Sequence, residues 1–423
     1  MAVTDPRTLL EHLFATAVAR ADPMRSLSQH LPPKPAGRVV VIGAGKASAR
    51  MAEAVEAAWG PCEGLVITRY GYARPCQGIE VVEAAHPVPD VAGQVATARM
   101  LDFLAGCEAD DFVLALISGG ASALLCAPSV GVSLAEKQAV NAALLASGAP
   151  IDKMNIVRQH LSRVKGGQLA AVAHPAQMLC LMISDVPGDD PAFIGSGPTV
   201  GVATTPQDAQ DVLAAWQITV PASVIAALSR PSGVIAPYDL RLSRVTNHIY
   251  AAPAQSLQAA ADVARAQDIE VVILGDAIEG EARDVARAHA KLALEARASR
   301  APGARPLLLL SGGEVTVTRR GDGIGGPNAE YCLALALALG GVDGVHALAC
   351  DTDGVDGAAE VAGAVIGPGM LDRARAIGLD PQQMLDHNDA HSFFAAIGGQ
   401  VVTGPTLTNV NDFRAILIEA AAG

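Results

Sequence analysis

The stretch VVVIGAGKAS (Val39–Ser48) decides the reading of this chain. Four apolar residues, three of them valine, form a strand with no polar face, as expected where a parallel sheet is covered on both sides. Gly43-Ala44-Gly45 then turns the chain, and Lys46 opens a helix. Glycine lets backbone approach a ligand closely, and a helix start offers unpaired N–H groups with partial positive charge. An ammonium at such a turn suits a phosphoryl group or a carboxylate, although a tight turn with a solvated lysine has the same letters. The dinucleotide fingerprint needs glycine where Ser48 stands, and Arg69 rather than an acid closes the second strand. The GxxxxGK[ST] spacing of a P-loop is absent.

Outward from this segment, short apolar strands alternate with Ala-rich helical stretches. Strands are expected at Gly64–Thr68, Phe112–Ile117, Gln177–Ile183, Val245–Tyr250, Glu270–Leu274, Pro306–Leu310 and Val345–Cys350. Helices are expected at Asp5–Arg20, Lys46–Ala58, Val91–Leu104, Leu134–Ala146, Ile151–Val172, Pro253–Gln267, Ala282–Ala298 and Asn328–Leu339. This alternation predicts an α/β fold of two domains with largely parallel sheets and an active site in the cleft between them. Breaks in composition at Arg230–Tyr238 and Arg297–Arg305 place an N-terminal Rossmann-like domain at 1–235, a connecting region at 236–305 and a C-terminal domain at 306–423.

Composition narrows the function. In 423 residues, 30 are basic and 43 acidic, a net charge of −13. Such a chain has no broad electrostatic footprint for nucleic acid or an anionic membrane, so an anionic ligand must be held by local groups. Seven scattered cysteines with no CxxC read as inert thiols. The N-terminus carries Asp5 and Glu11 within an amphipathic pattern, unlike a signal peptide. The longest apolar run, Tyr331–Leu339, is about half a membrane span. These features predict a cytoplasmic enzyme, and its Ala-rich helices are compatible with a homodimer.

Further glycine and carboxylate turns follow the apolar strands, where parallel sheets bind ligands. Ser118-Gly119-Gly120-Ala121-Ser122 follows one strand, and Ser311-Gly312-Gly313-Glu314 echoes it after another. Each offers small-residue amides as an anion-binding edge, and each also reads as an ordinary turn. Asn155–Ala170 (NIVRQHLSRVKGGQLA) puts Arg158, Ser162 and Lys165 on one helix face. LMISDVPGDD brings Asp185 and Asp189 to a strand end, where a carboxylate can orient a hydroxyl, accept its proton or hold Mg²⁺. GDGIGGPNAE carries Asn328 at a helix start, and ACDTDGVDG carries Asp351, Asp353 and Asp356.

In this order, GAGKAS, SGGASALL, NxVRxHLSxxKGG, SDVPGDD with GSGPT, SGGE, GGxNxE and DTDGxDG resemble the type-2 glycerate kinase family, whose members carry a MOFRL domain. CLALALAL (Cys332–Leu339) suits that leucine-rich domain. The resemblance covers about Leu9 to Ile418 and implies ATP-dependent phosphorylation of D-glycerate at its 2-hydroxyl, giving 2-phosphoglycerate. By it, Lys46 matches the family lysine and acts on the transferring phosphoryl group. The family aspartate matches Asp185 or Asp189; Asp189 would polarise the glycerate hydroxyl or help hold Mg²⁺, with Asp353 and neighbouring Asp351 as the metal alternative. Gly43, Gly45, the Ser118–Ser122 and Ser311–Glu314 turns and Asn328 would bind phosphate or carboxylate. The family usually has arginine where this chain has Pro327, so Arg158, Lys165 or Arg319 would have to neutralise phosphate in its place. Some relatives are called hydroxypyruvate reductases, which leaves an NAD(P)H-dependent reductase as the rival reading and a non-catalytic sugar-acid sensor as a third.

Overall fold

The computed structural model describes residues 5–357 and 359–419, in two compact units. One unit comprises residues 23–250; the other joins the start of the chain to residues 251 onward.

The first unit is built on six strands: β1 (Val39–Ala44), β2 (Glu63–Arg69), β3 (Ile79–Ala84), β4 (Phe112–Ile117), β5 (Gln177–Ile183) and β6 (Val245–Ala251), in the order β3-β2-β1-β4-β5-β6. From β3 through β5 the neighbours are parallel. Every residue of β1 and β4 is buried. Helices Ser48–Trp59 and Val91–Ala105 return the chain between strands, the second capped by Asp90, which accepts from the Gly93 amide. Strand order reverses between β1 and β4, so the carboxyl ends of these two strands border the crevice where open α/β sheets take ligands. Between β4 and β6 the helices Leu134–Ala146, Ile151–His160, Pro206–Ala215 and Ala222–Leu228 bury Val140, Leu144, Val157, Val212 and Val224 in a core of their own.

The second unit contains β7 (Glu270–Gly275), β8 (Gly280–Glu281), β9 (Leu307–Gly313), β10 (Val315–Thr316), β11 (Val345–Asp351), β12 (Gly363–Ile366), β13 (Gln400–Val401) and β14 (Asp412–Ile418). Six of these form a sheet in the order β13-β12-β11-β14-β9-β7, and β8 pairs β10 apart from it. Helices Pro6–Ala21 and Pro253–Arg265 cover one face through Leu10, Leu13, Phe14, Leu257 and Ala260. Helices Ala282–Ser299 and Pro327–Leu339 cover the other through Ala286, Ala290, Leu333 and Leu335.

Three expectations change. The α/β class holds, but in the second sheet β7–β9 is parallel while β9–β14, β14–β11, β11–β12 and β12–β13 are antiparallel. A strand buried on both faces has the same apolar letters whichever way its neighbour runs. The contact boundary falls at residue 250 rather than 235, and 251–305 is no connector: it supplies β7 and two helices to the second core, as does Pro6–Ala21. Finally, the helix expected at Ile151–Val172 stops at His160 and resumes at Gln168. Gly166 and Gly167 take positive φ there, and their amides donate to Ser196 O and Gly197 O. Ser162 and Lys165 therefore do not share a helix face with Arg158.

Candidate active site

At the reversal point, the two glycines of the first motif serve close packing. A Cβ on Gly43 would lie 2.5 Å from Leu116 O, and one on Gly45 2.1 Å from Ser118 Oγ. The amides expected to cradle an anion are spent inside the protein. Gly45 N donates to Ile67 O, Lys46 N to Gly119 O at 2.8 Å, Ala47 N to Ser118 Oγ at 3.0 Å and Ser48 N to Gly45 O. The turn after β1 is thus stitched to the turn after β4, which is a correction to the expected role of Gly43 and Gly45. Ser118, fully buried, is consumed as the acceptor of that stitch.

The stitching leaves donors on the partner turn. The Gly119 and Gly120 amides have no acceptor among the described residues. Gly120 is left-handed at φ 83°, and a Cβ there would sit 3.0 Å from the His86 ring and 3.3 Å from Lys46 Cγ. Lys46 and His86 therefore flank the same glycine, both half-buried. Consecutive backbone amides beside a lysine make an anion-binding concavity. His86 escaped the sequence reading because β3 was not recognised; a histidine just past a strand end was the available signal.

The turn continues into a polar chain. Ser122 Oγ meets Ser196 Oγ at 2.7 Å, Ser196 Oγ donates to Asn155 Oδ1 at 3.0 Å, and Arg158 donates to Asn155 Oδ1 at 3.5 Å and to Asn141 Oδ1 at 2.9 Å. Lys165 is buried, with its ammonium directed to the carbonyls of Leu125 and Gly195 at 3.5 and 3.3 Å. Burial and the like charges of Lys137 and Arg158 hold it well below the usual lysine range. It is an internal tie rather than an exposed phosphate clamp. His160 is likewise satisfied, between Ser232 and Thr204.

After β5, Asp185 is half-buried. Asp189 adopts φ 52°, and its Oδ1 is buried with no hydrogen-bond partner among the described residues. An orphaned carboxylate oxygen requires an explanation, and a ligand hydroxyl or cation is a chemically suitable one.

The second unit disposes of its expected ligands differently. Ser311, Gly312 and Gly313 lie inside β9, paired with Arg414, Phe413 and Asp412. The Arg414 guanidinium, buried, donates to the Gly312 and Gly313 carbonyls at 3.1 Å and to Asp412 at 2.5 Å. Asn328 spends its amide on Asp356 and its side-chain NH₂ on Asp412 at 2.6 Å, so it has no donor left for phosphate. Asp356 also accepts from Ala329 N and faces His391 at 3.1 Å. Burial pushes Asp412 up, opposed by Arg414 and Asn328. These residues form a buried polar network. Asp351 and Asp353 each accept an amide two residues on, from Asp353 and Val355, and Glu314 is exposed. No group of three or more His, Cys, Asp or Glu gathers as a metal site among the described residues. Pro327 occupies the first turn of helix Pro327–Leu339, where its missing N–H is harmless; Arg319 donates to Gly321 O.

Among the described residues no helix is long and apolar enough to cross a membrane. Residues 9–229 match a domain family of unknown function, DUF4147, and residues 307–412 match the MOFRL family. A protein of Agrobacterium vitis named "Putative hydroxypyruvate reductase" is 49% identical over 97% of this chain and 94% of its own length. The D-glycerate 2-kinase of Thermotoga maritima is 36% identical over 96% of this chain and 98% of that protein. A crystal structure of glycerate kinase from T. maritima superposes with a TM-score of 0.88, at 35% identity, covering 98% of this chain and 99% of that one.

Proposed function

The chain belongs to the glycerate kinase family built from DUF4147 and MOFRL domains, and on that premise we propose that it transfers the γ-phosphoryl group of ATP to the 2-hydroxyl of D-glycerate. The products are 2-phosphoglycerate and ADP. The observation that carries this reading is the corner where Lys46 and the open Gly119 and Gly120 amides converge at the strand-order reversal.

Phosphoryl transfer requires alignment and charge neutralisation more than covalent chemistry. Lys46 supplies the cation for the γ-phosphoryl oxygens, and the two amides are fixed donors beside it. Asp189 Oδ1 orients the 2-hydroxyl and accepts its proton as the new O–P bond forms and the bond to ADP breaks. ATP with Mg²⁺ supplies the phosphoryl group and further charge neutralisation when bound. Mg²⁺ keeps several waters and needs only one or two carboxylates besides phosphate; holding that ion is the alternative role of the Asp189 carboxylate, in place of accepting the proton. The seven cysteines, all free, are in keeping with a cytoplasmic setting.

The reductase name borne by the A. vitis relative calls for a nicotinamide dinucleotide. Its pyrophosphate needs free amides at the first glycine turn, and those of residues 45–48 are all engaged. Arg69, stacked over Tyr72, stands where an acid would hold the ribose of NAD. A paired assay tests the choice. With D-glycerate, ATP and Mg²⁺ the protein should form ADP and 2-phosphoglycerate. Oxidation of NADH or NADPH with hydroxypyruvate, and no ADP with glycerate, would overturn the kinase reading.

A further inference from the structure

Two buried lysines and a half-buried arginine lie together in the first unit with no acid among the described residues to balance them. Lys137 is buried and donates only to Leu161 O, at 3.1 Å; Lys165 reaches only the carbonyls of Leu125 and Gly195. Arg158 contacts Asn141 and Asn155, and one of its terminal nitrogens has no partner among the described residues. Neither lysine nor Arg158 forms an ion pair with any described Asp or Glu. Two of them also lower the proton affinity of a neighbour: Arg158 acts on both lysines, and Lys137 on Lys165.

Withdrawing like charges from water without a counter-ion is costly, and buried charges in proteins are ordinarily paired. No described carboxylate serves as the negative partner, although 43 acidic residues are present in the sequence. Asparagines rather than carboxylates hold Arg158, so its charge stays uncancelled while its orientation is fixed. The fork of a guanidinium matches the two oxygens of a carboxylate. Through Asn155, Ser196 and Ser122, Arg158 connects to the same turn that bears Gly119 and Gly120.

We propose that Arg158, backed by the buried Lys137 and Lys165, is the carboxylate anchor for the small hydroxy acid and determines specificity for acids over neutral polyols. This rests on the kinase reading for the identity of the acid. The nucleotide tail belongs to the Lys46 corner and not to Arg158.

The test uses the full-length protein and two variants. Arg158→Gln should raise the KM for D-glycerate about 10²-fold while the KM for ATP and the kcat at saturating glycerate change less than about threefold. Asn141→Asp, which sets a carboxylate against the guanidinium without removing it, should raise the same KM in the same direction. An ATP KM that moves in place of the glycerate KM, or an unchanged glycerate KM in a folded variant, overturns the proposal. Calorimetric titration of D-glycerate and of glycerol into each protein separates this outcome from failure of the kinase reading. Wild type should bind the acid in preference to the neutral triol, and Arg158→Gln should lose the preference, whether or not ADP is formed. Equal binding of the two by wild type, or a preference kept by both variants, also overturns the anchor.

Discussion

Two strands of this protein run into the same three residues, and the outcomes are opposite. Ser118-Gly119-Gly120 leaves the sheet as a turn with two amides unspent, while Ser311-Gly312-Gly313 stays within β9 and gives its carbonyls to Arg414. The difference lies in the neighbours. β4 is flanked by parallel strands, so its chain must leave the sheet edge and return through helical structure. β9 is flanked on one side by antiparallel β14, whose register carries Asp412 opposite Gly313 and extends the pairing to the end of the glycines. A small-residue tripeptide keeps its amides unspent only where the sheet topology releases it.

The largest effect expected from this contrast is at the first turn. Lys46→Ala should lower kcat about 10³-fold with little change in thermal midpoint, because Lys46 is half-buried at the edge of the core. Near-normal turnover in a folded variant would remove the lysine from the chemistry. The next effect separates the two turns directly. Gly120→Ala places a methyl group against His86 and Lys46 and should cost about 10² in kcat, because small displacements at a reacting centre are expensive. Gly313→Ala meets Ile278 backbone at 2.2 Å with φ 102° and should instead cost roughly 2–4 kcal/mol of unfolding free energy. Urea unfolding and steady-state kinetics on both variants make the comparison; equal stability losses would erase the distinction.

What was legible from the letters follows the same line. Hydrophobic period and glycine punctuation located most of the long elements to within a few residues: Leu134–Ala146 coincides with its helix, and β4 and β5 coincide with their strands. The positions of Lys46, Asp189 and the Ser118–Ser122 turn, past the carboxyl ends of β1, β5 and β4, were legible from the apolar runs that precede them. Donor accounting was not reachable. Nothing in GAGKAS announces that four amides would be consumed by β2, β4 and the turn itself, nor that Asn328 would be spent on Asp356 and Asp412. β14 was missed because Asp412 and Arg414 interrupt its apolar run; their charges are hidden by pairing with each other. Lys137 was missed because a lysine on an amphipathic helix ordinarily faces water.

That lysine supports the smallest and sharpest test, a comparison of cations at the edge and in the interior. Burial, reinforced by Arg158, pushes Lys137 down to about 8 from the ordinary 10.5. The unfolded chain therefore holds a proton that the native chain has released between those two values. Stability then rises with pH across that window and is insensitive to this group below it. From pH 7.5 to 9 the gain from this one residue is about 1 kcal/mol. Lys137→Met should abolish that increment while leaving the other titrations in place, so the difference in unfolding free energy between variant and wild type should shrink steadily as pH rises. Parallel pH profiles for the two proteins would mean that the ammonium is already compensated in the native state, and the charge imbalance behind Arg158 would no longer require an anionic ligand.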